Sequence, residues 1–179
     1  IREPASTMGY LPTWKCRLRV WVCSGASAIV SNSQSGDEYW KTHLPHSRRY
    51  VISNALPVDK INRTSADLPA ELLKTDAPIM LYVGRLEEVQ KKPKAFLEVL
   101  ASVRQKLSVQ GILCGKGPQR SELEVLRHKL GLDADVHFTG YLPATSVWAL
   151  MKKASVFVSL SAYEGCPNTV MEAVACGCP

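Results

Sequence analysis

Residues 78–118 read PIMLYVGRLEEVQKKPKAFLEVLASVRQKLSVQGILCGKGP. Two short apolar runs, in 79–83 and 109–114, each end on a glycine, and between them Phe96, Leu97, Leu100, Val103 and Leu107 recur at helical spacing across 94–107. A continuously apolar strand, unlike an alternating one, is a strand covered on both faces. Two such strands joined through an amphipathic helix make a βαβ unit, the connection that parallel pairing requires. The cycle then repeats. A helix is expected over 118–132, opened near Pro118 and closed by Gly131, then a strand over 135–140, a helix over 143–154, a strand over 155–160 and a helix over 168–177. Four strand–helix units with short links predict an α/β fold, a Rossmann-like parallel sheet with helices on both faces.

The first third is less regular. A helix over 15–26, a strand over 28–33, a helix over 36–43 capped by Ser33 or Ser35, and a strand over 48–54 are the expected elements. Pro57, Pro69 and Pro78 punctuate a stretch of little periodicity, so residues 57–78 read as a linker between one domain at 1–56 and a second at 79–179. The chain opens without Met and stops at a Gly-Cys-Pro that resembles the approach to a further strand. Both domains are therefore expected to be incomplete, and the chain to be a piece of a longer one.

The formal charge of +6 is uneven: residues 1–63 hold nine Lys/Arg against four acids, residues 64–179 thirteen against twelve. No run of five like charges forms a nucleic-acid arm, so no nucleic-acid partner is expected. The basic first third makes peripheral contact with anionic lipid a further expectation. Six cysteines lie scattered without a Cys-x-x-Cys pair and far from the four histidines, which argues against a metal site and for reduced thiols in the cytoplasm. No run approaches the roughly 18 apolar residues of a membrane span.

In an open parallel sheet the ligand lies outside the carboxyl ends of the strands. The residues at those positions share a character: Gly84, Arg85 and Lys91 after the first run, Gly115, Lys116 and Gly117 after the second, Gly140 and Tyr141 after the third, and Ser159, Ser161 and Glu164 after the fourth. Cations, close-approach glycines and carboxylates at one edge suit a phosphorylated sugar or nucleotide. Each has a plainer reading. Arg85 could pair with Glu87 or Glu88, Tyr141 could be packing, and Thr169-x-x-Glu172 fits a capping box behind an N-cap at Asn168 or Thr169.

YVGRLEEVQKKP (82–93), GILCGKGP (111–118), VHFTGYLP (136–143) and EGCPNTVMEAVACGCP (164–179), in this order and spacing, resemble the nucleotide-sugar-binding C-terminal domain of the family-four retaining glycosyltransferases of GT-B fold. AIVSNSQSGDEYW (28–40) and YVISNALPVDKI (50–61) resemble the end of that family's acceptor-side N-terminal domain. The resemblance implies that a nucleoside diphosphate sugar is the donor, that its diphosphate is held by Arg85 and Lys91 without a metal or other cofactor, and that the N-terminus of the helix beginning near Asn168 assists. It implies that Glu164 stands near the donor sugar, that Glu172 accepts hydrogen bonds from ribose hydroxyls, and that backbone at Tyr141 and Leu142 meets the base. Gly84, Gly115, Gly117, Gly165, Pro167, Asn168 and Thr169 complete the implied donor site. The implied catalytic set is Glu164, Arg85 and Lys91, and the acceptor a sugar or a lipid-linked sugar. With most of the acceptor domain outside this stretch, the stretch alone is expected to be inactive. A GT-B-like module that binds a nucleotide sugar or a partner without turnover, and a GT-B epimerase or phosphorylase, are the alternatives.

Overall fold

A computed structural model of the chain describes residues 13–66, 68, 69, 72 and 76–179. They fall into two compact units, one holding the described residues up to Ala55 together with Tyr163–Asn168, the other Leu56–Ala162 with Thr169–Pro179.

The first unit contains helix α1 (Thr13–Ser24), strand β1 (Ile29–Ser31), helix α2 (Gln34–His43) and strand β2 (Arg49–Val51), with β1 and β2 parallel. Ser33 caps α2 by accepting from the Gly36 N–H at 3.2 Å. Cys23, Ile29 and Trp40 form its buried core. Arg49 binds the loop that precedes β2, donating from Nη1 to the carbonyls of Leu44, Pro45 and Ser47, with Asp37 3.3 Å from its Nε.

The second unit continues with helix α3 (Val58–Arg63), strand β3 (Ile79–Val83), helices α4 (Glu88–Lys91) and α5 (Pro93–Arg104), strand β4 (Gln110–Cys114), helix α6 (Arg120–Lys129), strand β5 (Val136–Gly140), helix α7 (Ala144–Lys153), strand β6 (Val156–Phe157) and helix α8 (Asn168–Ala175). Its four strands are all parallel, in the order β5-β4-β3-β6. The α/β parallel sheet expected from the apolar runs is the observed architecture.

Strand periodicity sorts the side chains between two cores. Ile79, Leu81, Ile112 and Cys114 face a cluster with Val147, Trp148, Leu150 and Met151 of α7 and Ala173 of α8. Met80, Tyr82 and Leu113 face the opposite cluster with Phe96, Leu97 and Leu100 of α5 and Leu123 of α6. Every second residue serves each layer, which is why both strands are apolar apart from Gln110, whose side-chain amide donates to the Leu72 carbonyl.

The structure departs from expectation at several points. Residues 57–78, read as a linker, contain α3, whose Ile61 is fully buried against the α7 layer, and Lys152 Nζ donates to the carbonyls of Asn62 and Thr64 at its end. Helix α5 stops at Arg104, so Leu107 is 49% exposed rather than buried. Strand β6 is only Val156–Phe157, paired with β3, although the flanking Ser155 and Val158 N–H groups also donate to the Ile79 and Leu81 carbonyls of β3. The one-turn α4 went unforeseen. Glu87 caps it, accepting from the N–H of Val89 and Gln90, and Lys92, with φ +48°, turns the chain into α5 at Pro93. Among the described residues no helix is long and apolar enough to cross a membrane.

Two glycines hold the loops after β3 and β4 together. Gly115 has φ +144°, and a Cβ there would collide with the Gly84 carbonyl; a Cβ on Gly117 would collide with the Leu86 backbone. Gly115→Ala and Gly117→Ala are therefore each expected to destabilise the fold by more than ~1 kcal/mol, since only backbone, not a flexible side chain, could give way. Urea unfolding midpoints equal to the parent's would contradict this.

Candidate functional site

From β3 the chain steps outward to β4 and β5, then returns to lay β6 on the other side of β3. Strand order thus reverses between β3 and β6. Loops leaving neighbouring strands toward opposite faces of a sheet open a crevice at such a point, on the carboxyl side.

The loops at that edge are joined by main-chain hydrogen bonds. Gly84 N–H donates to Cys114 O at 3.0 Å, Leu86 N–H to Lys116 O at 3.0 Å, and Gly115 N–H to Gly140 O at 2.8 Å. A register shift between Leu113 and Cys114 brings Gly140 opposite Cys114 and completes the shelf. Tyr82 Oη donates to the Arg85 carbonyl at 2.9 Å, fixing the turn that carries the guanidinium. Gly84, Arg85, Gly115, Gly117 and Tyr141 thus follow the carboxyl ends of three adjacent strands.

Arg85 is exposed, and among the described residues no carboxylate pairs with it. The pairing with Glu87 or Glu88 does not form. Glu87 accepts from the α4 N–H groups, and Glu88 accepts from Lys94 N–H at 3.2 Å. Lys91 is half-buried at the end of α4, where its N–H is bonded to Glu87 O. Beside it, Ala162 N–H donates to Gln90 O at 2.7 Å, tying the segment after β6 to the segment after β3. Tyr141, 71% exposed, is not packing, while Leu142 is half-buried against the α7 layer.

Thr169 and Glu172 lie on α8, both half-buried. Burial pushes the Glu172 carboxyl above its usual value, and the nearby Trp148 indole opposes that shift by favouring the charged form. Glu164, Gly165, Pro167 and Asn168 belong to the first unit, where Asn168 Oδ1 accepts from Asn54 Nδ2 at 2.6 Å. Sequence reasoning passed over Asn54, Gln90 and Trp148. Nothing in their spacing marks them, because each acts through a partner distant in sequence or through its backbone.

A cavity of about 380 Å³ flanks β5, lined by Arg120, Arg127, His137, Phe138, Thr139 and Leu142 among others. Its guanidiniums lie over the Phe138 ring at 4.4 and 5.8 Å but are neutralised, Arg120 by Glu124 at 2.7 Å and Arg127 by Asp133 at 3.1 Å. Arg85, which no carboxylate pairs among the described residues, lies instead at the switch-point edge.

A raised carboxyl in the native state means that ionising Glu172 opposes folding. Its favourable contribution is present below the ordinary glutamate value and is lost as pH rises through the raised one. Glu172→Gln removes the ionisation, so its melting temperature should exceed the parent's at pH 7, with the difference vanishing below about pH 4. Thermal unfolding at the two pH values measures this, and an equal difference at both would refute it.

Residues 64–179 match the family model described as glycosyl transferases group 1. The chain is 27% identical over 167 residues to alpha-D-kanosaminyltransferase of Streptomyces kanamyceticus, covering 90% of this chain and 43% of that protein. It is 30% identical over 132 residues to the lipopolysaccharide core biosynthesis glycosyltransferase LpsD of Rhizobium meliloti (strain 1021), covering 72% and 35%. The chain thus spans less than half the length of these relatives. Among solved structures, Anabaena HepE in complex with UDP and glucose superposes with a TM-score of 0.78 at 22% identity, over 96% of this chain and 48% of that one. With more than half of its residues matched by the family model and the parallel α/β architecture in place, the chain belongs to the group 1 glycosyl transferases of GT-B fold.

Proposed function

We propose that the protein transfers a sugar from a nucleoside diphosphate sugar to an acceptor, with retention of anomeric configuration and without a metal ion. One observation carries this reading: an arginine free of acidic partners among the described residues, at the carboxyl end of the central strand, beside the point where strand order reverses. When the bond from the sugar's anomeric carbon to the diphosphate breaks, negative charge grows on the leaving oxygen. Fixed cations there stabilise the transition state more than the ground state. Arg85 and Lys91 fill that role. The glycine shelf at 115–117 lets the diphosphate approach the backbone, and the backbone at Tyr141 and Leu142 meets the base.

Glu172 accepts from the ribose hydroxyls, and its half-buried carboxylate is suited to a hydroxyl pair in place of water. Glu164 engages the donor sugar, with Gly165, Pro167, Asn168 and Thr169 shaping the turn between the two glutamates. The relatives named as glycosyltransferases, and the neighbour solved with UDP and glucose, support the donor class. The acceptor is a sugar or a lipid-linked sugar, and the basic first third favours work at an anionic membrane surface within the cytoplasm.

Assay of the full-length enzyme that contains this chain against UDP-, GDP- and ADP-sugars, with the product anomer read by NMR, tests the proposal. Turnover should persist in EDTA with the donor's anomeric configuration kept. Arg85→Ala and Lys91→Ala should each lower kcat/KM by about 10²–10³, the usual cost of losing one group that stabilises developing negative charge. Glu164→Gln should lower kcat more than it raises the donor KM. Parent-like kinetics in all three variants would overturn the assignment.

A further inference from the structure

We infer that Trp148 is a positioning residue for donor binding, its indole N–H orienting the Glu172 carboxylate toward the ribose of a nucleoside diphosphate. The inference rests on the proposed donor site and adds a residue that the site's own motifs do not contain.

Trp148 is 6% exposed, and its Nε1 is buried without a hydrogen bond of regular geometry among the described residues. A buried indole N–H left without an acceptor loses its hydration with nothing in return, so the position is poorly explained by packing alone, which Phe or Leu would serve without that penalty. The acceptor within electrostatic reach is Glu172, whose charged form the indole favours. Geometry agrees: Trp148 packs in the same cluster as Ala173, the residue that follows Glu172 on α8.

The surroundings suit positioning. Trp148 shares its core cluster with Ala173, the neighbour of Glu172 on α8, and with Leu142 on the loop proposed to meet the base. One rigid side chain on α7 therefore packs in the layer that carries both the ribose-facing and the base-facing elements. Helix α7 is itself immobilised by the burial of Val147, Leu150 and Met151. A carboxylate held by an indole at one side keeps its remaining lone pairs for ribose hydroxyls, and loses fewer rotamers when the nucleotide arrives.

Calorimetric titration with UDP, GDP and ADP, and separately with inorganic pyrophosphate, tests the assignment on the parent, Trp148→Phe, Glu172→Met and the double variant. Trp148→Phe should weaken the best-bound nucleoside diphosphate about three- to tenfold and leave pyrophosphate unchanged, because pyrophosphate has no ribose. In the Glu172→Met background the same change should have almost no further effect. Equal weakening of both ligands, or additive effects of the two substitutions, would reduce Trp148 to a packing residue and overturn the proposal. Should Trp148→Phe fail to fold, the indole N–H resonances of ¹⁵N-tryptophan-labelled parent and Glu172→Met decide. One of the four should move upfield when the carboxylate is removed, and an unchanged set would reject the contact. A parent that binds pyrophosphate but no nucleoside diphosphate would instead defeat the reading of the donor site, while the resonance comparison still judges the Trp148–Glu172 contact.

Discussion

The second unit depends on β3 being buried on both faces and paired on both edges. Ile79 and Leu81 enter one core, Met80 and Tyr82 the other, while β4 and β6 take up its two ladder edges. A strand so enclosed has no freedom of register. A slip of one residue would exchange the contents of two cores at once. The turn at its carboxyl end inherits that rigidity, which is why Arg85 can be exposed and yet held by the Tyr82 hydroxyl and by the ladder ending at Gly84.

Around that strand the loops are fastened by backbone rather than by side chains. Close approach of Gly115 to Gly84, and of Gly117 to Leu86, leaves the edge with few side chains and many peptide groups. A surface of this kind admits a diphosphate near the main chain while nearby cations supply charge. The acids of the same loops are occupied locally, Glu87 and Glu88 as backbone acceptors around α4, so they do not cancel Arg85. In the proposed donor site, this diversion of carboxylates matters as much as the cations themselves.

Legibility differed between elements for physical reasons. The β3–α5–β4 stretch was readable because its burial is two-sided and its helix long enough to show a period. Helices α3 and α4 were not: six and four residues are too few for a 3.6-residue repeat to stand out, and both are held by tertiary contacts, the buried Ile61 and Lys152 for α3 and the Glu87 cap for α4. The run 155–160 is apolar enough for a full strand, but its backbone bonding to β3 ends at Val158, a limit set by the neighbouring strand and not by residue type.

For the site, the glycines, Arg85, Lys91, Tyr141 and the glutamates were visible as residue types at strand ends, because the chemistry of holding a phosphorylated ligand restricts which residues can stand there. What those residues meet was not visible. That Glu87 caps a helix instead of pairing with Arg85, that Asn54 reaches Asn168, and that Trp148 lies near Glu172 all depend on segments distant in sequence or on local hydrogen-bond choices that composition leaves open. The amino-acid sequence by itself determined the element types, the two-sided burial and the family's motifs, since these are written in local periodicity and residue chemistry. Only the tertiary structure decided the order β5-β4-β3-β6, and with it the reversal of strand order beside Arg85, because four similarly apolar strands are compatible with many orders until their helices pack.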